Sequence, residues 1–325
     1  MSKKILITGG SGFIGSHLAR KLVKLGHKVA ITTKYKSIID NIRIIDIWSK
    51  VKVIETDLRN LDSFDNLKKF NPDIVFHLAA YNHVGDSFSS YSESNSSNTI
   101  STYNLLNYFQ GKIDQFIYIS TSEIYGNQKT IFRENLLPNP ISPYSISKYS
   151  GELYVRMLMN ETNYPAKIIR PFNAYGEYQS VKAIIPEVIT NCLNNQDIIT
   201  TNGYQTREFN YVGNLVDGFI SVMKNKKCFK KTINIGCGRD ISIRELVKTI
   251  HNLTNSKSKI KFGKLKPRVT EIYKMRADNN LMKRYTGWRP KVSFKDGLIK
   301  TINWYKKFNK IYLSKNSELY KLSDI

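Results

Sequence analysis

The chain has few cysteines and no long apolar run. Its 325 residues include three cysteines, Cys192, Cys228 and Cys237, whose spacing fits neither a disulfide framework nor a metal site. The apolar runs are far shorter than the roughly 20 residues of a membrane-spanning helix. The first residues also lack the extended apolar stretch and small-residue cleavage site of a secretory signal. The sequence therefore predicts reduced thiols, no bound metal, no membrane segment and a cytoplasmic location.

Acidic side chains are scarce relative to basic ones. Against 26 Asp and Glu stand 50 Lys and Arg, for a net charge of +24. Such an excess suits a polyanionic partner. The lysines are scattered, however, and no helix-turn-helix, zinc-finger or RNA-binding signature accompanies them. We therefore predict no nucleic-acid binding, and expect part of the positive charge to serve an anionic small substrate.

Short β-branched runs alternate with amphipathic stretches in the first half of the chain, which predicts parallel strands joined by crossover helices. The predicted strands are residues 4–8, 28–33, 51–55, 74–77, 116–120, 166–170 and, later, 232–235. Clear helical periodicity covers residues 13–25 and 99–109. The fold class is therefore α/β, a doubly wound parallel sheet with a smaller C-terminal α/β cap. We assign residues 1–170 plus 206–235 to the sheet domain and residues 171–205 plus 236–325 to the cap.

A glycine-rich turn follows the first predicted strand. Gly9, Gly12 and Gly15 are evenly spaced between that strand and a helix. Glycines here let the backbone turn tightly and approach a pyrophosphate, which then faces the positive end of the helix. Position and spacing predict a Rossmann-type dinucleotide site, with cofactor-binding candidates Gly9, Gly12, Phe13, Ile14 and Gly15.

The acid that binds the adenosine ribose of NAD is missing after the second predicted strand. Lys34 and Ser37 lie in that region, and their ammonium and hydroxyl groups suit a 2′-phosphate, so we predict NADP, with NAD as the alternative. Further cofactor-binding candidates follow the third and fourth strands: Asp57, Leu58, Leu78, Ala79 and Ala80. A helix-capping role for Asp57 and a structural role for His77 are equally compatible with the sequence.

Tyr144 and Lys148 are the candidates for redox chemistry. Ser142 can cap a helix and Pro143 fits its first turn, which places Tyr144 and Lys148 on one helical face. A phenol with a reference pKa of about 10 is a poor base at neutral pH, but a nearby ammonium and a positive nicotinamide ring favour the phenolate. Tyr144 would then take a proton from a substrate hydroxyl as hydride leaves the carbon. An ordinary exposed Tyr/Lys pair is the alternative.

Several motifs together resemble the extended short-chain dehydrogenases/reductases that modify nucleotide sugars. They are TGGSGFIGS, HLAA, STSEIYG, YSISK, RPFNAYG, REFNYV and GWRP, which span nearly the whole chain. Within that family Thr121-Ser122-Glu123 resembles the triad of the 4,6-dehydratases, whereas 4-epimerases generally have no glutamate there. The resemblance therefore implies a lyase, specifically a hydro-lyase that makes a 4-keto-6-deoxy sugar on its nucleotide.

The resemblance also implies individual roles. Tyr144 and the cofactor oxidise C4 of the hexose, Thr121 binds the 4-oxygen, and Lys148 holds the ribose and lowers the tyrosine pKa. Glu123 removes the C5 proton, Ser122 or Glu123 supplies the proton for the departing water, and hydride returns to C6.

The substrate and the assembly follow from the same resemblance. The matching substrate-binding residues are His83, Ser87, Asn98, Asn173, Arg207 and Arg276. The family implies a homodimer or a dimer of dimers, built on helices near residues 99–109 and 144–158. A 4-epimerase, a UDP-uronate decarboxylase and a non-catalytic dinucleotide-binding module remain alternatives. Departures at Ser101 and Glu177, and the missing ribose-binding acid, limit what the resemblance carries over. Residues 179–186 resemble dehydratases that act on N-acetylglucosamine nucleotides, whereas residues 83–88 and the end of the second strand resemble GDP-mannose 4,6-dehydratase, so the base and the sugar stay open.

Overall fold

The structure, a computed structural model, describes residues 1–37, 41–267 and 270–312, with side chains up to residue 308. The strands are β1 (Lys4–Thr8), β2 (Lys28–Thr33), β3 (Lys52–Glu55), β4 (Ile74–His77), β5 (Gln115–Ile119), β6 (Ala166–Pro171), β7 (Ala174–Tyr175), β8 (Ile198–Ile199), β9 (Thr206–Arg207), β10 (Asn210–Tyr211), β11 (Thr232–Ile235), β12 (Ile241–Ser242) and β13 (Ile260–Lys261). Each strand predicted from the sequence is found within one residue at either end, so the pattern of β-branched runs was a sufficient signal.

Helices flank these strands. They are α1 (Phe13–Lys24), α2 (Asp65–Lys68), α3 (Tyr91–Asn95), α4 (Ser101–Phe109), α5 (Pro143–Glu161), α6 (Ile184–Leu193), α7 (Val212–Lys224), α8 (Ile243–Thr254), α9 (Asn280–Thr286) and α10 (Phe294–Tyr312). A π-helical turn, Ser96–Ile100, joins α3 to α4, so the second helix predicted from periodicity begins as a wider turn. None of the helices in the described ranges is both long and apolar enough to cross a membrane.

Seven parallel strands form the central sheet in the order β11-β6-β5-β4-β1-β2-β3. The chain winds outward from β1 through β2 to β3, and from β4 through β5 and β6 to β11. The order therefore reverses between β1 and β4, and ligands of such sheets bind outside the carboxyl ends of the strands at that point. The predicted doubly wound α/β sheet is confirmed.

Apolar residues on both faces of the sheet hold the helices in place. Ile5 and Ile7 of β1 pack in a cluster with α1 and α7, whereas Leu6 packs in a second cluster with α4 and α5. Alternate residues of the strand point to opposite faces, and a strand buried on both faces is continuously apolar. The sheet therefore offers a rigid edge on which the strand-end loops are positioned.

The later part of the chain has an apolar cluster of its own, in which α6, α8 and α10 pack together through residues such as Ile189, Leu246 and Ile302. Met282 of α9 and Trp288 instead pack in the cluster that contains α1 and α7. Part of the range assigned to the cap thus lies against the sheet, and the exact division into two domains stays a prediction.

Candidate active site

The glycine turn forms a close-fitting cradle between β1 and α1. Gly9 has a φ of +66°, and a Cβ atom there would lie 2.8 Å from the Ala79 nitrogen. A Cβ at Gly15 would lie 2.2 Å from the Gly9 carbonyl oxygen. Gly12 precedes the helix, so the first-turn amides that begin at Phe13 have no side chain at the N-cap to satisfy them. These amides, together with Ile14, fit the pyrophosphate of a dinucleotide.

His77 is a structural residue at the end of β4. Its ring is buried, with Nδ1 2.7 Å from the Thr8 hydroxyl and Nε2 2.9 Å from the Thr102 hydroxyl. Burial, and next the charge of Lys148, hold the pKa of His77 well below its usual range. Because both ring nitrogens are bonded inside the protein, the structural reading of His77 holds. Thr8 also accepts a bond from the Ala79 amide, which places Leu78, Ala79 and Ala80 beside the glycine turn.

The segment after β5 carries the predicted triad. The Thr121 hydroxyl accepts a hydrogen bond of 3.2 Å from the Glu123 amide and caps the short helix Ser122–Tyr125. Ser122 is buried, and its hydroxyl contacts the sulfur of Met275 at 3.5 Å. Thr121 also makes a hydrogen bond with the Tyr144 phenol, and Glu123 is close enough to influence that phenol electrostatically. The structure therefore brings Thr121, Glu123 and Tyr144 together.

Helix α5 begins as the sequence predicts. Ser142 and Ser145 form a capping box, in which each side chain accepts a hydrogen bond from the other residue's amide, and Pro143 occupies the first turn. Ser87 adds a tertiary contact, because its buried hydroxyl donates to the Val84 carbonyl at 2.7 Å and accepts from the Tyr144 amide at 3.2 Å. Ser87 thus fixes the start of the helix that carries Tyr144, in addition to the substrate role that the sequence predicts.

Lys148 lies one turn further along α5, against β5. Its ammonium donates to the Ile119 carbonyl at 2.7 Å and lies 4.4 Å from the centre of the Tyr118 ring. Burial lowers the pKa of Lys148 to about 7, although Glu152 opposes that shift. A bound ribose or phosphate would supply acceptors that favour the charged form. The protonation of Lys148 is therefore sensitive near neutral pH to any acceptor or charge placed beside it.

The Tyr144 phenol is protonated in the protein alone. Burial raises its pKa to about 12, the hydrogen bond from Thr121 lowers it, and the charge of Glu123 raises it again. A general base must have a pKa near the working pH. A role as general base would therefore require further positive charge near the phenol, and Lys148 lies one turn further along α5.

A buried ion pair between α5 and β6 supports α5 and the end of β5. This pair was not predicted from the sequence. Glu152 of α5 accepts two hydrogen bonds from Arg170 of β6, of 2.6 and 3.1 Å, and one of 2.6 Å from the Ser120 hydroxyl. Both charged side chains are fully buried. The Arg170 guanidinium also donates to the Tyr125 hydroxyl at 2.7 Å. The network ties α5, which carries Tyr144 and Lys148, to the ends of β5 and β6.

The Asn98 side chain bonds to the backbone of the loop after β4. Its oxygen accepts a hydrogen bond from the Tyr81 backbone amide at 2.7 Å. Its nitrogen donates to the Tyr81 carbonyl at 3.0 Å and to the Ser147 hydroxyl at 2.9 Å. The side chain is fully buried, so it fixes the loop after β4 against α5. His83 lies further along that loop and is partly exposed beside Asp86, with 3.1 Å between the ring and the carboxylate.

Two arginines lie on neighbouring segments on the cap side. Arg207 of β9 bonds to the Ile272 carbonyl and forms an ion pair with Glu271. The amide before it, of Thr206, bonds to the Tyr273 carbonyl, which draws the segment carrying Arg276 alongside β9. Within the described residues, the buried Nε of Arg276 has no hydrogen-bond partner. An unsatisfied guanidinium nitrogen of this kind fits an anionic ligand.

Met275 links the two sides of the cleft. Its sulfur lies 3.5 Å from the Ser122 hydroxyl and 3.2 Å from the Asn173 amide nitrogen. The buried Glu208 holds this segment, because its two carboxyl oxygens accept hydrogen bonds from the Ala277 amide at 2.7 Å and the Gly238 amide at 3.1 Å. Nothing in the sequence marked Met275, whose position depends on a strand pairing formed far along the chain. Asn173 and Ser122 therefore lie on either side of the buried Met275 sulfur.

The region after β2 and β3, where the sequence predicts the adenosine of a cofactor, is charged. Asp57 forms a two-pronged ion pair with Arg59 and also accepts a hydrogen bond from the Arg59 amide, so its contact with a cofactor stays a prediction. Lys34 contacts Glu93 of α3 at 3.3 Å. Leu58 is buried, and Ser37 is partly exposed with its carbonyl bonded to Asn41. The predicted cofactor-binding residues follow the carboxyl ends of β1, β2, β3 and β4.

Comparison with known proteins decides the family. The family model described as "NAD dependent epimerase/dehydratase family" matches residues 5–236. The chain belongs to this family. It is 32% identical to the dTDP-D-glucose 4,6-dehydratase of Homo sapiens over 94% of this chain and 90% of the relative. It is 33% identical to the UDP-N-acetyl-alpha-D-glucosaminuronate decarboxylase of Bacillus cytotoxicus over 94% and 98%.

The fold of this family member is also similar to a solved structure. The UDP-glucuronic acid 4-epimerase of Bacillus cereus, in complex with UDP-glucuronic acid and NAD, superposes with a TM-score of 0.86 at 30% identity, over 94% of this chain and 99% of that one. A dehydratase, a decarboxylase and an epimerase are thus similar to the chain to nearly the same degree. The chain is an enzyme of a nucleotide-sugar-modifying family, and its individual reaction has to be argued from its own residues.

Proposed function

We propose that the protein is a nucleotide-sugar 4,6-dehydratase. The observation that carries the proposal is the position of Glu123, which follows Thr121 at the end of β5 and is close enough to the Tyr144 phenol to raise its pKa. A reaction confined to C4 needs a hydroxyl partner and a base there. A carboxylate beside them adds a group able to take a proton from the neighbouring carbon, which is the step that elimination of water requires.

The residues then act in sequence. Tyr144 accepts the proton of the sugar 4-hydroxyl, Thr121 donates a hydrogen bond to the same oxygen, and Lys148 supplies positive charge next to the phenolate. A nicotinamide dinucleotide held by the glycine turn and Lys148 would supply the hydride chemistry at C4 and C6. The new 4-keto group acidifies C5, whose proton passes to Glu123.

Elimination needs a proton for the departing oxygen. Glu123 carries the C5 proton and is able to give it to the C6 hydroxyl, which leaves as water. Ser122 is the weaker candidate for this step, because its buried hydroxyl contacts the Met275 sulfur. Return of hydride to C6 is completed by a proton taken up at C5, which equals in number the proton that Tyr144 removed from the 4-hydroxyl. The product is therefore the 4-keto-6-deoxy sugar, and no net oxidant or reductant is consumed.

The substrate proposed is a hexose on a nucleoside diphosphate. The unsatisfied Nε of Arg276 and the neighbouring Arg207 support a diphosphate on the cap side, and Asn173 supports a contact between it and the sugar. The base and the sugar follow from none of these contacts. Of NAD and NADP, the sequence predicts NADP from Lys34 and Ser37, and that preference depends on the charges around Lys34.

We also propose a homodimer. The outer faces of α4 and α5 leave large apolar side chains exposed, among them Tyr103, Ile146, Leu153, Tyr154 and Met157. Tyr103 and Tyr154 touch across the two helices, with ring centres 5.3 Å apart, so the exposed side chains form one surface. Two copies of such a surface would bury each other in a four-helix contact. A cytoplasmic location stays a prediction.

The test is a panel of GDP-, UDP-, dTDP- and CDP-hexoses incubated with the purified protein and analysed by mass spectrometry. A 4,6-dehydratase removes one water from one of these substrates without added reductant. A 4-epimerase leaves the mass unchanged and alters the sugar, and a decarboxylase releases carbon dioxide from a UDP-uronate. Glu123→Gln is the matched variant, since it keeps the shape of the side chain and should abolish loss of water.

A further inference from the structure

Four charged side chains meet beside the end of β2, and we name them the ribose-side cluster: Lys34, Asp57, Arg59 and Glu93. The Arg59 guanidinium bonds to Asp57 through Nε and Nη2, at 2.9 and 2.6 Å, and to Glu93 through Nη1, at 2.6 Å. The Lys34 ammonium lies 3.3 Å from the other Glu93 oxygen. Each of the four side chains is a quarter to a third exposed, so the cluster is accessible from solvent beside the end of β2.

Glu93 reaches the cluster from α3, some 60 residues along the chain from Lys34. The Ser97 hydroxyl, one turn later, donates to the same Glu93 oxygen as Lys34, at 3.0 Å. Partial burial alone would raise the pKa of Glu93, but the Ser97 hydrogen bond and the charges of Lys34 and Arg59 hold it below its usual range. The carboxylate is therefore ionised and held in place.

The charges of the cluster cancel. Two cations stand against two carboxylates, and Glu93 lies between the cations. A 2′-phosphate carries a charge of about −1.5 to −2 at neutral pH, so it would compete with Glu93 for cations that are already neutralised and would be repelled by the carboxylate. A free ribose hydroxyl, by contrast, is able to donate a charge-assisted hydrogen bond to that carboxylate.

The ribose-side cluster lies beside the end of β2. Lys34 follows directly after β2, where nucleotide-binding sheets of this kind contact the adenosine ribose. We propose that Glu93 replaces in space the ribose-binding acid that is missing from the end of β2, and that it makes the protein select NAD over NADP. This inference rests on the proposed binding of a nicotinamide dinucleotide, and it reverses the preference that Lys34 and Ser37 predict from the sequence alone.

The test measures the dissociation constants of NAD and NADP for the full-length protein by isothermal titration calorimetry, without sugar substrate. The unaltered protein is expected to bind NAD at least about tenfold more tightly than NADP. Glu93→Gln keeps the size of the side chain and removes its charge, so NADP binding should tighten and the ratio of the two constants should fall by about tenfold. Glu161→Gln, at the exposed end of α5, removes a carboxylate far from β2 and should leave the ratio unchanged.

Two results would overturn the inference while dinucleotide binding stands. One is an unaltered protein that binds NADP as tightly as NAD or more tightly. The other is a Glu93→Gln variant whose ratio equals that of Glu161→Gln. Binding of neither nucleotide would overturn the proposed function and this inference together. Thermal midpoints measured on the same samples show whether each variant is folded, so a lost signal is assigned to binding and not to unfolding.

Discussion

Removing Glu152 tests the buried network beneath the candidate active site. The carboxylate is fully buried and accepts hydrogen bonds from Arg170, Ser120 and Arg156. In Glu152→Ala the Arg170 guanidinium stays buried and charged, with the Tyr125 hydroxyl and the Glu134 carbonyl as its remaining neutral partners. Breaking a buried ion pair in this way costs about 3–5 kcal/mol.

The expected shift in melting temperature follows from chain length. Unfolding entropy of about 2 cal/mol/K per residue gives roughly 0.7 kcal/mol per degree for a chain of this length. Glu152→Ala should therefore melt about 4–7 °C lower than the unaltered protein. Arg156→Ala removes a partly exposed partner of the same carboxylate and should cost no more than about 1 kcal/mol, because exposed ion pairs contribute little.

Differential scanning calorimetry on these variants and on the double variant Glu152→Leu/Arg170→Met decides the matter. Replacing both members of a buried pair by apolar side chains leaves no isolated charge, so the double variant should melt higher than Glu152→Ala. The reasoning is refuted if Glu152→Ala melts within about 1 °C of the unaltered protein, or if the double variant melts lower than the single one.

Three further predictions concern the chemistry, the pH dependence of stability and the assembly. Tyr144→Phe should lower kcat by about 10²–10⁴-fold while NAD binding measured by calorimetry persists; full activity would remove the proposed base. Burial raises the pKa of Glu208 to about 7, so its carboxyl keeps its proton in the folded state while the unfolded chain loses it, and the free energy of unfolding should fall as pH rises from the usual carboxyl range to about 7. Urea unfolding should find Glu208→Gln less sensitive to pH over that interval, and equal slopes for both proteins would contradict the prediction. Leu153→Glu on the exposed face of α5 should shift light-scattering mass from dimer to monomer, whereas Ile199→Glu, a similarly exposed apolar site on β8, should not; identical masses for the two variants would argue against the proposed interface.

The fold was predictable from the sequence because the sheet is built from local patterns. Parallel strands buried on both faces are continuously apolar, and the glycine turn and the Ser142 cap are signals contained within a few residues. The same holds for Tyr144 and Lys148, whose spacing places them on one face of α5. The strands, the glycine turn and the Tyr144/Lys148 pair could therefore each be predicted from a short segment of sequence.

The rest depended on contacts between distant segments. Met275 reaches the triad only because its segment pairs beside β9 and near Phe132. The Glu152–Arg170 pair joins a helix to a strand, and Glu93 reaches Lys34 from another helix. The sequence also suggested ligand contacts for Ser87 and Asn98, whose side chains are buried and bonded to the backbone. A charged or polar residue type alone does not reveal which partner it meets.

The central claim is that hydride removed from C4 returns to C6 of the same sugar. It is tested most directly by offering the accepted nucleotide hexose with deuterium at C4 and locating the label in the product by NMR and mass spectrometry. The account predicts a dehydrated 4-keto-6-deoxy product that carries the deuterium at C6. A product of unchanged mass with the deuterium still at C4, as an epimerase would leave it, would contradict the account.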